Sequence, residues 1–403
     1  MADDTADRTT LSLSITEAMG DIDRAQWNAI ANPPGERHDP FLEWDFLDAC
    51  ERTRCAEPAT GWTPRHMLAH DASGTLVGGA PLYLKTHSRG EFVFDHSWAD
   101  ALHRAGGRYY PKLLCAVPFT PVTGRRLLAH GPNALSIRHA LGQAITEAAQ
   151  KWRVSSAHFN FLDEETWSML GASGLLLRED QQFHWVNRGY KTFEDFLAAL
   201  SSRKRKMLRR ERREAQEGLD IIRVSGADLR KHHWDAFFYF YMDTGGRKWG
   251  SPYLNREFFQ MLHDRMADKC LLILAMENGR PIAGALNMIG SDTVFGRYWG
   301  RAVDRPFLHF EVCYYQAIDF AIERGLAFVE AGAQGEHKLT RGYEPRLTRS
   351  AHWIAHPGLR TAVANYLDSE RRAVEEGINE LRAYTPFRKL DLQQTEEHDE
   401  EGF

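Results

Sequence analysis

Residues 270–289, C-L-L-I-L-A-M-E-N-G-R-P-I-A-G-A-L-N-M-I, decide the reading of the fold. Residues 270–276 and 281–289 are apolar runs of strand length, joined by Glu277-Asn278-Gly279. Asn-Gly between apolar runs is a strong hairpin signal, because both residues accept the positive φ that a type I′ turn demands. Outward from this hairpin, residues 228–242 and 255–266 read as helices before it. Residues 293–299 read as a third strand after it, 310–324 as a helix and 327–331 as a further strand.

The first half of the chain repeats this order. Residues 11–19 alternate weakly as a first strand, and 23–30 and 41–52 read as helices separated by Asn32-Pro33-Pro34-Gly35. Residues 65–70 and 75–84 form a hairpin across Asp71-Ala72-Ser73-Gly74, and 95–105 reads as a helix. Residues 113–122 are apolar, but Pro118 and Pro121 argue against a regular central strand. A long helix over 134–152 and a strand over 157–162 complete the half, and a strand at 349–355 and a helix at 359–381 end the chain. A shared order at a period of about 180 residues predicts two copies of one α/β (α+β) unit. Each would be a mixed, mainly antiparallel sheet flanked by helices. The expected boundaries are 1–180, then 181–385 with a basic helix at 193–217, then an acidic mobile tail at 386–403.

Composition bounds the function. With 403 residues, 43% hydrophobic, and 11 tryptophans, the chain can bury large cores. A net charge of −5 gives no global attraction to nucleic acid, so any such binding needs a local patch. Five scattered cysteines, Cys50, Cys55, Cys115, Cys270 and Cys313, suggest reduced thiols, and no metal site is expected. No apolar run reaches the ~18 residues of a membrane helix, and the N-terminus lacks a signal-peptide core, so a soluble, cytoplasmic protein is expected. H-E-x-x-H, P-loop, G-x-G-x-x-G and G-x-S-x-G patterns are absent, which leaves zincin, nucleotide and serine-hydrolase chemistry unsupported.

Candidate chemistry concentrates after the last core strand, in E-A-G-A-Q-G-E-H-K-L-T-R-G-Y-E-P (330–345). Glu336, His337 and Lys338 stand consecutively there, with Gln334, Arg341 and Tyr343 beside them. Loops at strand ends are where a scaffold presents chemistry. Glu330 sits in an apolar strand context, where partial burial would raise its pKa toward that of a general base; a buried, paired structural carboxylate is the alternative. Arg297-Tyr298-Trp299-Gly300-Arg301-Ala302 fits the R-x-x-G-x-A form of a coenzyme A pyrophosphate loop, but the helix that should follow starts too late, so a strand edge fits better. His309 and Glu311 open the next helix, with Tyr315 on the face of Glu311. In the first half, His87, Glu91, Asp95, Trp98, Tyr110, Lys112, Arg125 and Arg126 would line a substrate cleft or belong to a proline-stiffened connection. Residues 201–213, S-S-R-K-R-K-M-L-R-R-E-R-R, place Arg203, Lys204, Arg205, Lys206, Arg209 and Arg210 on a basic helix whose apolar stripe is roughly 120° wide. A solvated face and a polyanion-binding face are equally compatible with it.

Taken together, residues 81–98, 108–128, 296–300, 308–319 and the loop after 330 resemble the bacterial Fem-like, peptidoglycan biosynthesis/recognition family of the GNAT superfamily. The resemblance spans about residues 41–360. It implies tandem GNAT-like domains and an acyl- or aminoacyl-transferase, with aminoacyl-tRNA or acyl-CoA as donor and a small-molecule or peptide amine as acceptor; the alternatives are a non-catalytic module of the same fold that binds a peptide or cell-wall fragment, and a coenzyme A-dependent N-acetyltransferase. Fem transferases carry a catalytically important lysine in a Phe-Lys pair; the matching position here is His337-Lys338, with His337 in place of the aromatic. The basic helix would then meet tRNA. Lys338 would stabilise the oxyanion while Glu330, Glu336 or His337 takes the amine proton, in a site between the domains.

Overall fold

The computed structural model describes residues 11–248, 252–332 and 336–388. These divide into two compact units, residues 11–180 with 348–372 and residues 181–347 with 373–388.

In the second unit the expected hairpin forms from Cys270–Glu277 and Arg280–Ile289. Asn278 and Gly279 take φ of 50° and 74°, the left-handed values a type I′ turn requires. Asp220–Ser225, a strand not read from the sequence, pairs antiparallel with the hairpin's first arm. Thr293–Arg301 pairs antiparallel with the second arm and parallel with Phe328–Glu330, which meets residues 184–186 of Leu176–Val186 antiparallel. A parallel pair needs a crossover helix. The chain supplies one in Leu308–Phe310, a π-helical turn Glu311–Tyr315, and Gln316–Arg324. One sheet face packs on that crossover through Leu271, Ile273, Ala283, Ala285, Val294, Val312, Ile318 and Ala321. The helix Lys231–Lys248 closes on Gly300, where a β-carbon would stand 2.1 Å from Phe240 O.

The first unit uses the same device. Lys112–Cys115 and Ser156–Asn160 run parallel, and Ala134–Lys151 crosses between them. Leu82–Lys85, then Trp62–Pro64, extend this sheet at one side, and residues 350–354 of Tyr343–Ile354 pair antiparallel with Ser156–Asn160. A separate four-stranded sheet holds Ser12–Thr16, His66–His70, Leu76–Ala80 and Leu128–Ala129.

Five expectations change. Residues 75–84 are not one strand: Leu76–Ala80 completes the hairpin with His66–His70, whereas after Pro81 the chain enters the other sheet as Leu82–Lys85. A central strand does form at Lys112–Cys115, because Pro118 and Pro121 come only after it has ended. The basic helix is two helices, Phe193–Ala199 and Ser202–Gln216. Leu200 leaves helical geometry to bridge Phe387, and the Ser201 amide donates to Pro386 O. That pairing also buries Pro386 and Phe387, so the terminal segment begins as packed chain; residues 389–403 lie outside the described residues. Residues 348–372, read from sequence as part of the second domain, belong to the first unit. There Ile354, Leu359, Val363 and Leu367 pack with Trp98, Leu102 and Tyr109.

Candidate active site

Parallel pairing in the second unit lasts only from Thr293↔Phe328 to Phe295↔Glu330, after which Thr293–Arg301 continues alone past the end of its neighbour. At the same level, pairing with the hairpin slips between Leu286 and Asn287, making Arg297 the extra residue of a bulge. Bulges re-aim side chains and occur beside active sites. The R-x-x-G-x-A stretch therefore lies in a strand up to Arg301, and no helix starts before Leu308.

Glu330 ends its strand buried, with Oε1 3.9 Å from His184 Nδ1. His184 was not legible in sequence because its strand was not read. Beyond Glu330 the chain turns into a 3-10 helix, Glu336–Arg341. Lys338 in this turn is 1% exposed, and its Nζ donates to Gly332 O at 2.6 Å. No carboxylate pairs with it among the described residues, so burial pulls its pKa down to about 8. His337 stays exposed, bonded through Nε2 to the Tyr314 hydroxyl at 3.0 Å. Partial burial, then the charges of Arg341 and Lys338, lower its pKa, so the ring is neutral at neutral pH. Gln334 and the Glu336 side chain lie outside the described residues.

The turn is held from below by Arg341. Its Nη1 donates to His337 O at 2.8 Å, and its Nη2 reaches both oxygens of Glu211 at 2.9 and 3.0 Å. Its Nε reaches Glu211 and the Tyr315 hydroxyl, and its guanidinium lies 3.4 Å from the Phe310 ring centroid. Tyr315 in turn donates to Glu211. Around His337 gather His309, Phe310 and Tyr314, with Trp299 against His309 and Tyr343 against Tyr314. Arg297 lies over the Tyr298 ring. The structure thus brings Lys338, His337, Arg341, Tyr315, Tyr343, His309 and Trp299 into one neighbourhood. Glu311 is not presented for binding: fully buried, it accepts from Arg212, Gln216 and Gln316. Arg212 also reaches Asp319.

Glu211 and Arg212 belong to Ser202–Gln216, whose inner face is therefore Leu208, Glu211, Arg212 and Ala215. On the outer face Arg209 pairs with Glu194 and Arg210 with Glu214, while Arg205 reaches Ser202. Arg203, Lys204, Lys206 and Arg213 meet no carboxylate among the described residues.

The first-half candidates lie in the first unit, and three of them, Glu91, Asp95 and Lys112, pair with one another. Lys112, fully buried, donates to Ser88, Glu91 and Asp95 at 2.8, 2.7 and 2.5 Å. Burial alone would lower its pKa, but Glu91 and Asp95 outweigh that and raise it. Burial lifts Glu91 to about 7 and drops Lys85, 3.8 Å from Glu91, to about 7. Burial opposes the charge on Asp95, yet Lys112 and then His158 pull its pKa well down. Asp95 accepts from Tyr109, and His158 bonds His352 at 2.7 Å beneath Trp98. Tyr110 bonds Ser88, and His87 accepts from the Arg89 amide. Arg125 is tied to Glu36 and Arg37 O, and the buried Arg126 donates to Val122 O and Arg125 O. Glu91, Asp95 and Lys112 thus serve a buried network rather than an open cleft wall, because each charge needs the others to leave water.

Residues 18–389 match the sequence profile of the FemAB-like, peptidoglycan biosynthesis/recognition proteins. The chain belongs to that family. In solved structures, FemX superposes with a TM-score of 0.52 at 12% identity, covering 85% of this chain and 98% of FemX. The C-terminal domain of a putative lysylphosphatidylglycerol synthetase from Agrobacterium fabrum gives 0.51 at 10% identity, covering 86% and 96%. A tandem GNAT protein from the clavulanic acid pathway gives 0.45 at 12%, covering 86% and 98%. No curated protein matches the chain. For this FemAB-like protein, the mixed, mainly antiparallel sheets with helices on their faces are the fold class the sequence implied, and FemX shares that fold. Among the described residues, no helix is long and apolar enough to cross a membrane.

Proposed function

We propose that this FemAB-like protein is an acyl- or aminoacyl-transferase that uses the Lys338 turn of its second unit to join an activated acyl group to an amine. The observation that carries the reading is a buried lysine just beyond the end of the strand Phe328–Glu330, whose one hydrogen bond among the described residues goes to the Gly332 carbonyl. A structural lysine would be paired, as Lys112 is; an unpaired buried ammonium is held for a negative charge that arrives later. In acyl transfer that charge is the tetrahedral oxyanion. The amine adds to the acyl carbon, the leaving oxygen or sulfur departs with the electron pair of the broken bond, and one amine proton must go to a base. His337, neutral and exposed, is one such base, and Glu330 at the strand end is another. An ester or thioester donor is already activated, so no covalent intermediate on the protein is required.

Aminoacyl-tRNA is the donor we favour over acyl-CoA. The R-x-x-G-x-A stretch lies in a strand, and Ser202–Gln216 exposes Arg203, Lys206 and Arg213 without acidic partners among the described residues. Phosphates bound there would give a steep salt dependence. The acceptor is a small-molecule or peptide amine, in keeping with a peptidoglycan-precursor role. The decisive test compares wild type with Lys338→Ala for transfer from charged tRNA and from acyl-CoA to peptide amines. Loss of turnover with retained folding supports the assignment. Unchanged turnover refutes it, and binding without any turnover makes the protein a recognition module.

A further inference from the structure

His337 is exposed, yet it is held at both ends. Its backbone carbonyl accepts from Arg341 Nη1 at 2.8 Å and from the Thr340 hydroxyl at 2.9 Å. Its ring meets the Tyr314 hydroxyl through Nε2 at 3.0 Å, while Nδ1 has no hydrogen-bond partner among the described residues. Tyr314 comes from the π-helical turn Glu311–Tyr315. Such turns are rare and gather at functional sites. In this one, two successive phenols both reach Glu336–Arg341: Tyr315 accepts from Arg341 Nε at 3.1 Å, and Tyr314 takes the imidazole.

Which member of the Tyr314–His337 pair donates follows from their chemistry. Tyr314 is 4% exposed and burial pushes its pKa up, so the phenol keeps a proton that needs an acceptor. Among the described residues, His337 Nε2 is the acceptor within its reach. A phenol is a stronger acid than a neutral imidazole N–H, and an imidazole nitrogen is a stronger base than a phenol oxygen. The O–H···N bond is therefore the better one. The reverse bond would turn the hydroxyl hydrogen into the protein without a partner, which costs stability. With Nε2 accepting, the one proton of the neutral ring sits on Nδ1, where water can satisfy it.

We infer that Tyr314 is a positioning residue that fixes His337 as its Nδ1–H tautomer, so that the exposed ring offers a ligand a hydrogen-bond donor and no free basic nitrogen. What that donor does rests on the transferase reading above. Nδ1–H donates to the acyl carbonyl oxygen as negative charge builds there, the electrophilic part that a neutral imidazole can play. The amine nitrogen bonds to the acyl carbon, and its proton goes to the other base of that reading, Glu330. The donor's leaving oxygen or sulfur departs with the electron pair of the broken bond. The tautomer itself does not depend on the reaction.

The test uses the full chain with isotopically labelled histidine, its His337 ring signals identified by their loss in His337→Gln. Burial and the charges of Arg341 and Lys338 lower the pKa of this ring, and His309 faces it from the crossover. At about pH 8, above the usual histidine range, nitrogen chemical shifts in wild type should show a protonated Nδ1 and a bare Nε2. In Tyr314→Phe the ring should move toward the Nε2–H form that free histidine prefers. Its pKa should rise, because a bond donated to Nε2 stabilises the neutral ring. A wild-type ring protonated on Nε2, or a pKa that falls in Tyr314→Phe, overturns the inference. Turnover separates donor from base, since Gln presents an N–H but cannot take a proton. His337→Ala should lose about a hundredfold in kcat, and His337→Gln should recover about tenfold of that, one hydrogen bond's worth. Equal loss in the two variants overturns the donor role. If transfer proves independent of Lys338 while Nδ1 is protonated as expected, the transferase reading falls and the tautomer stands.

Discussion

Replacing Lys338 with Met should stabilise the second unit at neutral pH, and the gain should fade in alkali. Met matches the length of the lysine stem and removes the ammonium. Burial lowers the folded-state pKa of Lys338 from 10.5 to about 8. At 1.36 kcal/mol per pH unit, that is about 3 kcal/mol of unfavourable free energy. The sign follows from linkage. Below pH 8 the lysine is protonated in both states, and the folded state bears the full cost of the buried charge. Between pH 8 and 10.5 the unfolded chain binds more protons than the folded one, so wild-type stability rises with pH. Above 10.5 the group is neutral in both states and the cost is gone. Lys338→Met should therefore exceed wild type by up to about 3 kcal/mol at pH 7, less whatever the Gly332 O bond returns, and the difference should close between pH 8 and 10.5. Two units need not unfold together, so the measurement is hydrogen exchange on second-unit peptides from pH 6 to 10, after correction for intrinsic rates. A difference that does not change with pH, or a wild type more stable than the variant at pH 7, refutes the idea that an uncompensated charge is stored in this turn.

Glu211→Ala should destabilise the second unit by about 3–5 kcal/mol in urea, because it strands the Arg341 charge in the interior. Pairing it with Arg341→Met should recover much of the loss, and a single-variant cost under about 1 kcal/mol would contradict a supporting role. Gly300→Ala should yield little soluble protein, since the new methyl would overlap the backbone carbonyl of Phe240; normal expression and melting would show that the helix can shift. In the first unit, Glu91 has its folded pKa raised from 4.5 to about 7, so its contribution is present below pH 4.5 and lost as pH rises through 7. Glu91→Gln should flatten that fall in first-unit exchange protection between pH 4.5 and 7, and an unchanged slope would assign the fall to another group.

Much of the fold was legible because its signals are local. Asn278-Gly279 names its own turn, and the crossover helices show the 3.6-residue period of a face that must meet a sheet. The breaks came where a distant residue outbid local preference. Leu200 leaves its helix for Phe387, and residues 348–372 return to the first unit because Ser350–Ile354 finds its partner in Ser156–Asn160. The site divides the same way. Adjacency in sequence marked the His337-Lys338 pair and the charged loop around it. No sequence signal distinguished Lys338, which meets no carboxylate among the described residues, from Lys112, which has two.

Sequence by itself therefore determined the two α/β units, the family and the segment that carries the reactive groups, since periodicity, turn chemistry and motif are properties of neighbouring residues. Only the tertiary structure decided which charges are satisfied. Glu311, Glu91 and Asp95 look like site residues in one dimension and are spent on Arg212 and Lys112 in three. Asn287, inconspicuous in its strand, is left with a buried oxygen that accepts no hydrogen bond among the described residues. Whether a buried polar group has a partner depends on residues many positions away, and that is settled by packing.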